Sequence, residues 1–199
     1  MEKLDFKYYQ GSEKEYRYVS AGICNVCKTK ADYLCQDICT NCIRAKKGPG
    51  IEWETEICVI NKDGKLSDPC GYPPLKKAPN GWEDKINELR FTPRYQTQQE
   101  FFHPTCCNDF MCFLGNYESA NFECKIESIL PFNSENYKQA IQYFNEDFTL
   151  ENKKLKPKKY DEIKHFETGK INKYPNITGY YYFFKCNLCE KVKFHNDFC

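Results

Sequence analysis

With 199 residues, 41% of them hydrophobic and 16% aromatic, the chain can bury about 70% of the surface that its unfolded form exposes. It is too rich in large rings to read as disordered. Its 29 Lys and Arg against 28 Asp and Glu leave a formal net charge of +1, so no global field draws it to nucleic acid or to an anionic membrane.

The first residues, Met1 to Lys7, carry charge where a signal peptide needs an apolar run. No later stretch approaches the ~18 apolar residues of a membrane span. A cytoplasmic protein without membrane contact is expected, and there its 14 cysteines stay unpaired, which makes metal ligation the leading explanation for some of them.

In chain order, Cys24-Asn25-Val26-Cys27 and Cys39-Thr40-Asn41-Cys42 predict a turn, a short hairpin and the start of a helix near Ile43. From Ile51 to Val59, apolar Ile51, Trp53, Ile57 and Val59 alternate with Glu52, Glu54 and Glu56. That is the period-2 pattern of one half-buried strand, ending in a tight turn at Asp63-Gly64.

Pro69, Pro73, Pro74 and Pro79 make Ser67 to Gly81 a long irregular excursion. Asn80 with Glu83 then caps a helix to about Leu89. The apolar block from Cys106 to Gly115 is expected to enter a second helix at Asn108 or Asp109, with a strand as the alternative. Tyr137, Ile141, Phe144 and Phe148 share one face of a helix after Ser134.

Lys153, Lys154, Lys156, Lys158 and Lys159 around Pro157 read as a solvated loop. The five aromatics Tyr180 to Phe184, then Cys186-Asn187-Leu188-Cys189 and Val192-Lys193-Phe194, read as strand, metal knuckle, strand.

Two thiolates two residues apart in a tight turn can face one ion, because the turn curls its backbone around the metal. Cys24/Cys27 and Cys39/Cys42 are two such pairs separated by eleven residues, the spacing of a four-thiolate zinc site. A redox pair needs a strand-to-helix setting that Cys24 lacks. Four protein ligands leave no open coordination position, so this site stabilises the fold and catalyses nothing.

Cys186/Cys189 need two more ligands: His195 and Cys199 are near, and His103, Cys106, Cys107 and Cys112 are distant candidates. Cys35, Cys58, Cys70 and Cys124 lack metal-like spacing and are assigned to core or surface packing. No nucleophile motif, phosphate loop or paired His/carboxylate motif occurs, so nothing positive supports an enzyme.

With these pairs placed, the chain resembles the bacterial CbrC family along most of its length. The resemblance rests on Phe6-Lys7-Tyr8-Tyr9, the pairs Cys24/Cys27 and Cys39/Cys42 with Ile43 following, Arg90-Phe91-Thr92-Pro93, and Gln98-Gln99-Glu100. Cys107-Asn108-Asp109, Phe113-Leu114-Gly115, Gly179-Tyr180, Cys186-x-x-Cys189 and Asp197-Phe198 complete it.

The family's best known member is linked to tolerance of a nuclease colicin. Arg44, Lys46, Lys47 and the Lys153 to Lys159 run beside many aromatics give nucleic-acid binding by a zinc module as the alternative, while the resemblance implies toxin tolerance or immunity exercised through a protein partner. It also implies His or Cys before the residue matching Cys107, which makes Cys106 a ligand candidate. The second site is then Cys106, Cys107, Cys186 and Cys189, and the chain carries two zinc ions.

The expected architecture is α+β: one CbrC-like domain over 1–199, containing a zinc-ligated β-hairpin/helix module at 20–50. A mixed α+β core at 82–199 holds the second cluster and is closed by the C-terminal strand–CxxC–strand knuckle.

Overall fold

The computed structural model describes residues 4–16, 20–67, 80–97, 102–118, 135, 148–151, 154–157, 160–164, 171–175 and 180–197. Small antiparallel sheets dominate it, with few helices. β1 (Gly22–Ile23) pairs with β2 (Lys30–Ala31), β3 (Leu34–Cys35) pairs with β4 (Ile38–Cys39), and α1 (Thr40–Arg44) follows.

β5 (Trp53–Glu54), β6 (Val59–Ile60) and β7 (Leu66–Ser67) form a three-stranded sheet, followed by α2 (Glu83–Arg90) and the hairpin β8 (Thr105–Cys106) and β9 (Asp109–Phe110). The largest sheet joins β10 (Cys112–Glu118) to the C-terminal end of the chain. Between them lie the hairpins β11 (Phe148–Glu151) with β12 (Lys154–Pro157) and β13 (Tyr160–Lys164) with β14 (Ile171–Pro175). β15 (Tyr180–Lys185) then runs between β10 and β16 (Val192–Asp197). Among the described residues no helix is long and apolar enough to cross a membrane.

The unbroken aromatic run of β15 follows from its central position. Tyr181, Tyr182, Phe183 and Phe184 are all buried, because a strand covered on both faces needs no polar alternation. Tyr95 stacks on Phe113 at 4.3 Å and meets Tyr182, Phe184 and Trp53 at 5.6 Å each. The N-terminal segment closes the other edge of β10: Gln10 N–H donates to Phe113 O (2.7 Å) and Phe113 N–H to Tyr8 O (2.9 Å).

Several sequence expectations change. The single strand over Ile51–Val59 is instead two strands folded back on each other, with Trp53 opposite Ile60. Thr55 causes the break: its buried Oγ1 donates to Cys58 O (2.6 Å) and accepts from the Cys58 N–H (3.2 Å). This is a side-chain turn that competes with the ladder. The turn at Asp63-Gly64 forms as expected, with Gly64 at φ +77° and its N–H on Asn61 O (2.8 Å).

The helix after Asn80 also forms, but Trp82 and not Asn80 occupies its N-cap, and no side chain caps it. Gly81, at φ +78°, turns the chain between them.

The helix expected at Asn108 or Asp109 gives way to the strand alternative, in the hairpin β8–β9 and then β10. Cys107 and Asn108 both take positive φ, 50° and 58°, which is the two-residue turn that suits hairpin twist. Lys154 and Lys156, expected in a loop, lie in β12; Lys153, Lys158 and Lys159 lie outside the described residues. The excursion between Ser67 and Gly81 and the helix from Ser134 fall largely outside them too, except that Phe148 opens β11.

Candidate metal centre

Two cysteine quartets form, and they are the two sets that the sequence singled out. In each, Cys24/Cys27/Cys39/Cys42 and Cys106/Cys107/Cys186/Cys189, all four sulfur atoms lie within 4.8 Å of one another. Four sulfurs ~2.3 Å from one tetrahedral ion stand about 3.8 Å apart. The Sγ separations are 3.8 Å for Cys27–Cys39, 3.9 Å for Cys106–Cys107 and 3.7 Å for Cys106–Cys189. Both quartets are therefore compatible with two zinc ions.

The CxxC halves of the two centres share one local structure. Cys24 N–H donates to Thr29 O and Lys28 N–H to Cys24 O, both at 2.9 Å. At the C-terminal pair, Cys186 N–H donates to Lys191 O (2.9 Å) and Glu190 N–H to Cys186 O (3.0 Å). Lys28 and Glu190, each one residue after the second cysteine, take φ 59° and 60°. In both, the amide two residues after the first cysteine points at its sulfur: Val26 N–H to Cys24 Sγ and Leu188 N–H to Cys186 Sγ, each 3.4 Å. Amides aimed at sulfur favour the thiolate over the thiol.

The other halves differ. Cys39 and Cys42 come from β4 and α1, after the turn at Gln36 and Asp37 (φ 48° and 65°). Asn25 N–H donates to Asp37 O (2.9 Å), which docks the first knuckle on that turn. Cys106 ends β8, and Cys107 sits in the hairpin turn itself.

That turn is held from several sides. Trp82 Nε1 donates to Asn108 Oδ1 (3.1 Å), Lys85 Nζ donates to Asn108 O, and Tyr8 O–H donates to Asp109 Oδ1 (2.7 Å). Lys193 Nζ donates to Thr105 O in β8 and Asn187 Nδ2 to Lys7 O in the N-terminal segment, both at 2.9 Å, so the C-terminal hairpin is tied to each.

The thiols do not titrate alike. Burial pushes Cys24 up, but the backbone amides of Cys39, Cys27 and Val26 outweigh it and bring the thiol down to about 6. Burial, aided by the neighbouring sulfurs, pushes Cys42 up to about 12, and burial also raises Cys39. In the second quartet the hydrogen bond with Cys189, ahead of those with Cys106 and Cys186, takes Cys107 up to about 12. The Lys191 backbone brings Cys189 down to about 7. Four thiolates at this spacing repel one another unless a cation sits among them, so ion binding displaces protons.

The remaining candidates lie elsewhere. Cys112 is buried outside the quartet. His195 sits in β16 opposite Tyr182, and burial depresses its imidazole. Cys199 lies outside the described residues.

His103 is a core residue. Its Nε2 lies 2.7 Å from Met111 O, which only accepts, so Nε2 carries the proton and Nδ1 takes the Tyr95 O–H at 3.2 Å. Cys35 and Cys58 are fully buried, as thiols without metal spacing often are. Cys70 and Cys124 lie outside the described residues.

Sequence reasoning missed the supporting residues Trp82, Lys85 and Asn187. No periodicity or spacing marks a side chain that reaches across tens of residues to hold a turn. Comparison with protein-family models, with curated proteins and with solved structures finds no match for this chain.

Proposed function

We propose that the chain is a cytoplasmic zinc protein of the CbrC type. Two structural zinc ions hold a surface that binds a protein partner in tolerance of, or immunity to, a nuclease toxin. The observation that carries the metal reading is the spacing of the sulfurs, 3.7 to 3.9 Å in three pairs, which is the edge of a zinc–thiolate tetrahedron. Both sites have four protein sulfurs, so their contribution is folding energy and not Lewis-acid chemistry.

The toxin-tolerance reading rests on the family resemblance. Its residues lie at both quartets and at a support of the second, where Tyr8 O–H donates to Asp109 Oδ1. Cobalt(II) reconstitution tests the metal reading, with four-sulfur tetrahedral absorption expected for two equivalents. Co-expression with nuclease colicins tests the tolerance, and unchanged killing together with no captured toxin or host protein would remove it.

Nucleic-acid binding is the second reading. Lys28, Lys30 and Lys47 surround the first knuckle and, among the described residues, make no ion pair. Retention on a mixed oligonucleotide column that falls with salt would favour it, because phosphate contacts release counterions. No retention at low salt removes it.

A further inference from the structure

The two quartets expose their cysteines to very different extents. In the first, Cys24, Cys39 and Cys42 are buried and Cys27 alone is exposed; in the second, Cys186 alone is buried, Cys106 is intermediate, and Cys107 and Cys189 are exposed. Oxidation of a thiolate pair needs one sulfur that the oxidant can reach and a second within reach of the first. The three sulfurs within 4.8 Å of Cys27 all belong to buried cysteines, Cys39 among them at 3.8 Å. Exposed Cys189 has partly open Cys106 at 3.7 Å.

We propose that the second centre is the peroxide-reactive site of the chain: a hydroperoxide converts Cys106 and Cys189 to a disulfide and frees the ion there, while the first centre stays loaded. This rests on the reading that both quartets hold zinc.

The Cys189 thiolate attacks the terminal peroxide oxygen. An S–O bond forms and the O–O bond breaks; sulfur is oxidised to the sulfenic acid, and the peroxide is reduced to an alkoxide or hydroxide that takes a proton from water. The Cys106 thiolate then attacks the Cys189 sulfur, the S–S bond forms, and hydroxide leaves and is protonated. In sum, two thiolates, one hydroperoxide and two protons give one disulfide, one water, and one alcohol or a second water.

The quartet loses two of its four ligands, and a zinc ion held by the remaining two sulfurs is released. The new bond spans the same two segments that the ion bridged, the end of β8 and the turn between β15 and β16. The C-terminal hairpin therefore stays tied to the rest of the chain after the ion has gone.

The test uses the full chain with its zinc content measured first, then treated with hydrogen peroxide in the presence of a chromogenic chelator and mapped by peptide mass spectrometry. One equivalent of zinc is expected to leave at least about tenfold faster than the other. A Cys106–Cys189 linkage should accompany it, and all four cysteines of the first quartet should remain protected from alkylation. Thiol reductant plus zinc should restore two ions.

The Cys189→Ser chain, with its one remaining ion, should release zinc only at the slow rate. Simultaneous loss of both ions, earlier oxidation of the first quartet, or fast release with Cys106 and Cys189 still reduced overturns this inference alone. Uptake of fewer than two ions before any peroxide is added contradicts the metal reading and takes this inference with it.

Discussion

Burial removes His103 from the ordinary acid–base behaviour of histidine. Desolvation takes its imidazole down to about 3 from 6.5, against a hydrogen bond to Met111 that acts the other way. Above pH 6.5 the ring is neutral in both folded and unfolded chains and stability does not change with its titration. As pH falls from 6.5 toward 3 the unfolded chain takes a proton that the native chain refuses, so stability drops, by on the order of 4 kcal/mol at the lower end. The expected NMR observation is a His103 ring resonance that does not titrate between pH 8 and pH 5; an inflection near 6.5 would contradict the buried neutral tautomer.

At the same scale, Cys24→Ser removes a buried sulfur that accepts the Cys39 amide at 3.3 Å. The variant should bind one ion fewer and expose the 20–50 segment to protease, read by limited proteolysis; full resistance and full metal content would contradict the assignment. The first quartet could be read from the sequence because its pairs are eleven residues apart and each curls locally. Residue spacing alone left the partners of Cys186 and Cys189 open, with His103, Cys112, His195 and Cys199 standing beside Cys106 and Cys107. What excludes the first three is tertiary: a side chain in the core or on the sheet cannot reach a turn at the end of β8.

Among the elements, the loop after α1 depends on one glycine. Gly48 has φ +81°, and a Cβ there would lie 2.4 Å from Val26 Cγ2 in the first knuckle. Gly48→Ala should cost about 1–3 kcal/mol in chemical denaturation and weaken ion binding at the first centre, whereas an unchanged midpoint would show that loop and knuckle are not in contact.

The hairpin at Thr55 makes a parallel case. Thr55→Val leaves the Cys58 amide and carbonyl without the hydroxyl that serves them, for a loss of about 1–3 kcal/mol. Elements were legible where local chemistry decided them, as at the Asp63-Gly64 turn and α2. They were misread where a side chain or an unusual backbone overrode the period. Alternation ran on through Thr55 because a hairpin and a single strand can carry the same pattern. A cysteine at φ 50° is no sequence signal for a turn, so Cys107 concealed the hairpin.

Across the whole molecule the two centres act at different ranges. The first closes a local loop between Cys24 and Cys42, while the second joins β8 to the C-terminal hairpin across some eighty residues of chain. Closing the longer loop removes more entropy from the unfolded state, in proportion to ~1.5 RT ln n. Chelation of both ions should therefore lower stability more than the loss of the first ion alone.

The α+β character was legible in composition, and both cysteine quartets lie among the cysteine pairs that the sequence singled out. The centrality of β15 was not legible, because an aromatic run marks a buried strand without naming its neighbours. Elemental analysis of metal per chain is the most direct measurement: two zinc ions in the unsubstituted chain, falling to one in Cys107→Ser and to one in Cys189→Ser. A folded chain without zinc, or either variant retaining two ions, would contradict the account.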